Sequence, residues 1–140
     1  MRALSLLQPW ASMVAQGAKQ YETRGWATSY RGELAIHASK GFPADCQDLC
    51  DQEPFAGVIR AAYLCARTLP RGAVLCVVRV LDCRNTYDVA RELQRQSGGE
   101  RELEFGDFSH GRFAWKLELV ETFPEPIYAK GAQGLWEWEP

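Results

Sequence analysis

Ten residues near the C-terminus constrain this chain more than any other segment. From Arg112 to Glu121 the side chains alternate, with Phe113, Trp115, Leu117 and Leu119 on one face and Lys116 and Glu118 on the other. A period of two marks a strand with one buried face, and an inner face this bulky needs a sheet around it. Other strands are available to build one. Gly32–Ser39 alternates, with Leu34, Ile36 and Ala38 on one side. Val74–Leu81 is apolar apart from Arg79, the composition of a central strand covered on both faces. Leu4–Leu6, Lys19–Arg24 and Leu135–Trp138 add a short lead-in strand, an edge and a closing strand.

Helices fill the gaps between them. Pro9 suits a first helical position, where its missing N–H is no loss. Trp10, Met13 and Val14 share a face, and Gly17 is the residue type favoured for a left-handed cap, which gives a helix over 9–16. Residues 44–50, 55–66 and 86–96 read as further helices. Ser97–Gly111 is polar and glycine-containing with few core candidates; it reads as a solvated surface loop, with a lid over a site as the alternative. Pro124-Glu125-Pro126 ends the long strand, leaving Ile127 and Tyr128 extended. Strands and helices do not alternate as βαβ units, so a small curved sheet or barrel with helices packed around it is expected, not a doubly wound sheet. The 140 residues amount to one domain.

Charge narrows the function classes. The formal net charge is −2, whereas a protein that coats duplex nucleic acid is usually basic. The distribution is uneven. Residues 1–40 hold Arg2, Lys19, Arg24, Arg31 and Lys40 against Glu22 and Glu33, a net of +3, and the remainder sums to −5. A local basic site on an acidic body suits a small anionic ligand or one end of an RNA. No apolar run approaches the roughly 20 residues of a membrane span. The apolar stretch at the N-terminus is too short for a signal peptide, so a cytoplasmic location and no membrane partner are expected. The five cysteines are then expected reduced, with Cys76 and Cys83 as buried hydrophobes. Cys46 and Cys50 share a helical face but have no nearby ligands to complete a zinc set, so no metal and no cofactor are expected.

No nucleophile elbow, P-loop or dinucleotide fingerprint is present. One polar stretch is dense enough to be a site, Gly17-Ala18-Lys19-Gln20-Tyr21-Glu22-Thr23-Arg24. Strand alternation places Gln20, Glu22 and Arg24 on one face, with Lys19 at the bend able to reach the same side. Tyr30, Arg31, Ser39 and Lys40 border the next strand and would complete a pocket. The competing interpretation is a surface ion-pair ladder. In either case the spacing treats these as exposed groups, for which Lys19→Ala and Arg24→Ala would leave stability nearly unchanged.

The pattern Gly17-x-Lys19-x-x-Glu22-x-Arg24 resembles the signature of the ASCH (activating-signal-cointegrator homology) domains. So do the opening Leu4-Ser5-Leu6 with Gln8-Pro9-Trp10-Ala11, the block Tyr30-Arg31-Gly32 with Ile36–Lys40, and the end formed by Trp115, Pro126, Gly131 and Leu135-Trp136. The resemblance spans essentially the whole chain in order. It implies an α+β fold, a small PUA-like β-barrel flanked by helices, as one domain over residues 1–140. It also implies a cleft between the first helix and the barrel that binds RNA, a nucleotide or a nucleoside. The ligand-binding set would be Trp10, Lys19, Glu22, Arg24, Tyr30, Ser39 and Lys40, with Trp10 and Trp26 as stacking faces. Trp115, Trp136 and Trp138 are assigned to the core by strand alternation.

The alternative implied by the same resemblance is a small hydrolase, acting on acetylated cytidine or on RNA, with Lys19 as base or nucleophile and Glu22 as its partner. In amidohydrolase members a threonine stands at the glutamate position and a further acid lies on a later strand. Here Glu22 keeps the acid, and Val74–Leu81 offers no carboxylate. A third possibility is a protein-interaction module, as in larger coactivators. The sequence leaves the oligomeric state open.

Overall fold

The computed structural model describes residues 1–140. In chain order the elements are β1 (Arg2–Leu6), α1 (Trp10–Ala15), β2 (Tyr21–Arg24), β3 (Gly32–Ala38), α2 (Ala44–Leu49), α3 (Phe55–Ala61), β4 (Ala73–Asn85), α4 (Thr86–Gln94), α5 (Gly99–Phe105), β5 (Phe113–Tyr128) and β6 (Leu135–Glu137). The six strands form one sheet in the order β2-β5-β4-β3-β1-β6. Only β1 and β3 run parallel. The architecture is α+β, a sheet curled into a half-barrel with helices packed on it.

The curl has a local cause. The β4–β5 register slips between Val74 and Cys76, between Val77 and Val78 and between Val80 and Asp82, and the β3–β4 register slips at Ile36/His37. Each bulge bends its strand and adds right-handed twist. β4, the expected central strand, lies between β3 and β5 and buries Val74, Cys76, Val78 and Val80. Trp115 is fully buried in the hollow with Leu34, Ile36 and Leu117. Ala11 and Val14 of α1 plug that hollow, while Met13 faces Cys50, Phe55, Ile59 and Phe105. The first helix is thus gripped on two sides. Its start is held by buried Gln8, whose Oε1 accepts from the Ser12 N–H at 3.0 Å and whose Nε2 donates to Pro70 O at 2.7 Å.

Several boundaries shift by a few residues, β4 running on to Asn85 past the expected Leu81, and four differences have a clear physical reason. The first helix spans Trp10–Ala15, not 9–16, because Pro9 lies in the turn before it. The helix from Phe55 ends at Ala61, before the exposed left-handed Tyr63. The long strand does not stop at Pro124 but continues to Tyr128. Pro124 and Pro126 are tolerated because they stand in the stretch between the Thr122↔Cys76 and Ile127↔Val74 pairs, while β2 covers the other edge only at Phe113–Lys116; no ladder donor is missed there. The fourth difference matters most. Within Ser97–Gly111, expected as a solvated loop, α5 buries Phe105 and Glu102. Seven residues with one large apolar anchor give too little periodicity to read. No helix is long and apolar enough to cross a membrane.

Candidate functional site

The polar stretch is placed by the end of α1. Gly17 adopts φ +76°, the left-handed conformation expected of it. Ala18 and Lys19 N–H groups then both donate to Met13 O, at 3.0 and 3.2 Å. This reversal sends the Lys19 side chain inward as the chain enters β2. Lys19 Nζ donates to Tyr21 O and to Glu22 Oε1, the latter at 3.1 Å. Glu22 Oε2 accepts from Arg24 Nε at 2.9 Å. Arg24 Nη2 donates to Ser5 O at 2.8 Å.

That last bond spans the opening of the half-barrel. β2 and β1 are not neighbours in the sheet, and Arg24 joins them through its side chain. The Lys19, Glu22 and Arg24 side chains are 1%, 10% and 24% exposed. They are not the exposed ladder that spacing implies but a mostly buried relay of alternating charge. The expectation that Lys19→Ala and Arg24→Ala leave stability unchanged is corrected accordingly: a buried ion pair that loses one partner is strongly destabilised.

A cavity of about 540 Å³ opens over this relay. Trp10 and Phe55 wall one side, edge to face with centroids 6.1 Å apart. Trp10 Nε1 donates to Phe105 O. Phe105, which also packs its ring 5.6 Å from that of Phe55, continues this wall with Gly106, Asp107 and Arg112, the first three from the segment expected to be a loop or lid. Two bonds to Thr23 hold that wall against β2. Asp107 N–H donates to Thr23 Oγ1 and Arg112 Nη2 donates to Thr23 O, each at 3.2 Å. The Ser109 hydroxyl and N–H keep the Asp107 carboxyl below its usual range. Behind the wall, Glu102 Oε1 accepts from Gln20 N–H at 2.8 Å, while its buried Oε2 has no partner. Burial raises the Glu102 carboxyl, opposed by the Gln20 bond and by Lys19 nearby.

Of the expected ligand-binding set, the cavity brings together Trp10, Lys19, Glu22, Arg24 and Ser39. Tyr30 and Lys40 do not line it. The Tyr30 hydroxyl turns to donate to Glu33 O, and exposed Lys40 faces a neighbouring cavity. Trp26 does not line it either; it lies edge-on to Trp115 at 4.9 Å. Trp138 is buried as assigned, and Trp136 is half-buried against His37. Sequence reasoning missed Ser5, Thr23, Asp107 and Arg112. The first two are neighbours of named motif residues, but the last two follow only from knowing where α5 packs. All five cysteines are free. No cluster of three or more His, Cys, Asp or Glu side chains is placed to hold a metal ion.

Comparison with known proteins gives the family. The ASCH domain model matches residues 4–127. Human and mouse activating signal cointegrator 1 are each 33% identical over 81 residues, which cover 57% of this chain. The match takes in only 14% of those longer proteins. With the matched region running from β1 into the end of β5 and containing the whole cleft, the chain belongs to the ASCH domain family, whose fold is PUA-like.

Proposed function

We propose that the chain binds RNA by taking one nucleotide unit into the cleft. Family membership supports RNA binding in general. The observation that carries the finer reading is the relay itself: a carboxylate flanked by two cations, nearly buried beneath a cavity with an aromatic wall. Glu22 is engaged on both oxygens and orients its partners. Arg24 uses Nε and one Nη2 hydrogen internally, which leaves three of its five donors for a ligand. Arg112 adds a second guanidinium at the rim. The lining is balanced, with Lys19, Arg24 and Arg112 against Glu22, Glu104 and Asp107. Such a site suits a group that both donates and accepts, such as a base with its ribose, better than a bare polyanion. Trp10 supplies the stacking face.

The hydrolase reading lacks comparable support. Lys19 Nζ already donates to a carbonyl and a carboxylate, an arrangement that fixes an ammonium in place rather than freeing a lone pair for attack. The test is calorimetric titration of ribonucleoside 5′-monophosphates, with a chromatographic assay of acetylated cytidine alongside. Wild type is expected to bind and not to deacylate. Arg24→Lys, which keeps the charge and loses the fork, is expected to bind about tenfold more weakly. Rapid deacylation abolished by Lys19→Ala would overturn this reading in favour of the hydrolase.

A further inference from the structure

Beside the charge-balanced cleft lies a second cavity, of about 910 Å³, whose lining carries charge of one sign only. Lys40, Arg71 and Lys130 line it, and no acidic residue does. Eight of the sixteen Lys and Arg residues lie within 4 Å of a carboxylate; these three are among the eight that do not, and they line one cavity. Arg71 is held in place, its guanidinium 5.5 Å from the Phe42 ring centroid and its Nη1 donating to Lys40 O at 3.2 Å. Tyr128 lines the same cavity with 78% of its surface exposed. An exposed aromatic among unpaired cations on a net acidic protein is not explained by packing.

The floor of this cavity is rigid. His37 Nε2 lies 2.8 Å from Ala129 O, and since a carbonyl only accepts, that nitrogen carries the proton. His37 Nδ1 shares a hydrogen bond with the Ser5 hydroxyl at 2.9 Å, and Ser5 Oγ accepts from Trp136 Nε1 at 3.2 Å. Gly131 sits so close that a Cβ there would fall 2.6 Å from His37 Cε1 and 2.7 Å from Ser5 Oγ. The segment carrying Tyr128 and Lys130 is thereby pinned to β1 and β3. Ser5 and Ser39 line both cavities, so the two abut.

From this juxtaposition we infer that the second cavity is a distinct RNA subsite. It takes the phosphates and one stacked base of a single strand whose neighbouring nucleotide occupies the cleft, and it rests on the nucleotide-binding reading of that cleft. The division of labour follows from the linings. The charge-balanced cleft suits a base and sugar, and the acid-free cavity suits phosphate oxygens. Stacking on Tyr128 requires an unpaired base, which favours a single strand over a duplex. Thus Lys40, expected in the cleft, is assigned to the adjoining subsite.

The test uses the full chain with two probes, a ribonucleoside 5′-monophosphate and a single-stranded tetraribonucleotide. Wild type is expected to bind the tetranucleotide at least tenfold more tightly. Tyr128→Ala is expected to weaken tetranucleotide binding about tenfold, as loss of one base stack does. Lys130→Ala is expected to flatten the dependence of log affinity on log salt by about 0.7 for each phosphate no longer neutralised. Both residues are on the surface, and unchanged melting temperatures separate these effects from misfolding. A tetranucleotide that binds no more tightly than the monophosphate overturns the subsite, as do Tyr128→Ala and Lys130→Ala proteins that bind the strand like wild type. If Arg24→Lys weakens monophosphate binding in that case, the cleft reading survives alone. If Arg24→Lys is silent while Lys130→Ala loses the strand, the cleft reading fails and the second site stands without it. A hairpin duplex bound as tightly as the single strand would also overturn the stacked-base assignment.

Discussion

Lys19→Met asks whether the relay is buried in solution as the structure has it. The substitution keeps a long unbranched side chain, so the space at a 1% exposed side chain stays filled, and only the ammonium is lost. Two bonds disappear, to Tyr21 O and to Glu22 Oε1. Removing one partner of a buried ion pair costs about 3–5 kcal/mol when the survivor is left alone. Glu22 is not left alone, because Arg24 Nε remains 2.9 Å away. The expected loss is therefore nearer that of hydrogen bonds to charged groups, about 2–3 kcal/mol. For a domain of this size that is a fall of roughly 6–12 °C in melting temperature. Urea unfolding followed by circular dichroism should show a lower midpoint with an unchanged slope. Lys116→Met, on the exposed part of β5, is the control and should stay within about 0.5 kcal/mol. A Lys19→Met protein as stable as that control would refute the burial of the relay, and with it the geometry of the cleft floor.

Two further outcomes follow from groups around the site. Burial raises the Glu102 carboxyl above its unfolded value, so its contribution to stability is fully present below the unfolded value of about 4.3 and is lost as pH rises through the folded one; Glu102→Gln should flatten the pH–stability curve over that window, gaining most at neutral pH, and parallel curves for variant and wild type would show that the orphaned oxygen is solvated. Among the thiols, Cys65 is exposed and lowered by its Thr68 hydrogen bond, while Cys76 is pushed up to about 12 by burial; brief alkylation and peptide mapping at pH 7.5 should label Cys65 first and Cys76 last, since the thiolate is the reactive form.

What was legible in the sequence tracks the length of the signal. The alternation of Phe113, Trp115, Leu117 and Leu119 and the apolar run of β4 recur often enough to fix a sheet, and Gly17 marked the end of α1 because few other residues tolerate its φ. Prolines are a weaker signal. Pro124 and Pro126 were expected to stop β5, but a proline stops a strand only where its missing N–H has a partner to lose, and pairing is not visible in one strand alone. α5 was illegible for a related reason. Its anchor, Phe105, is buried by Met13 and Phe55, residues some 90 and 50 positions earlier. The cleft inherited that gap, so its β2 side was named residue by residue and its α5 side was not.

The burial of the relay changes what the motif means physically. Spacing separates a fold-maintaining role from a ligand-holding one, yet Arg24 is placed where the two meet: one Nη2 hydrogen closes the opening between β2 and β1 through Ser5 O, and the same side chain lines the cavity that we propose holds the nucleotide. Glu22 cannot be changed without leaving two cations nearly buried and uncompensated, so its loss confounds folding with binding. Thr23, between them, fastens the α5 side of the cleft through its hydroxyl and its carbonyl. Three consecutive β2 residues thus hold the barrel mouth, the charge balance and the α5 segment. A four-residue edge strand with one sheet neighbour is a weak element by hydrogen bonding alone. These side-chain ties are what keep β2 in place, so the residues that shape the cleft are also those that stabilise its floor. Alanine variants would report both effects at once. Arg24→Lys, which retains the charge beside Glu22 and gives up the fork, is the substitution expected to move the proposed binding with the least disturbance of the fold.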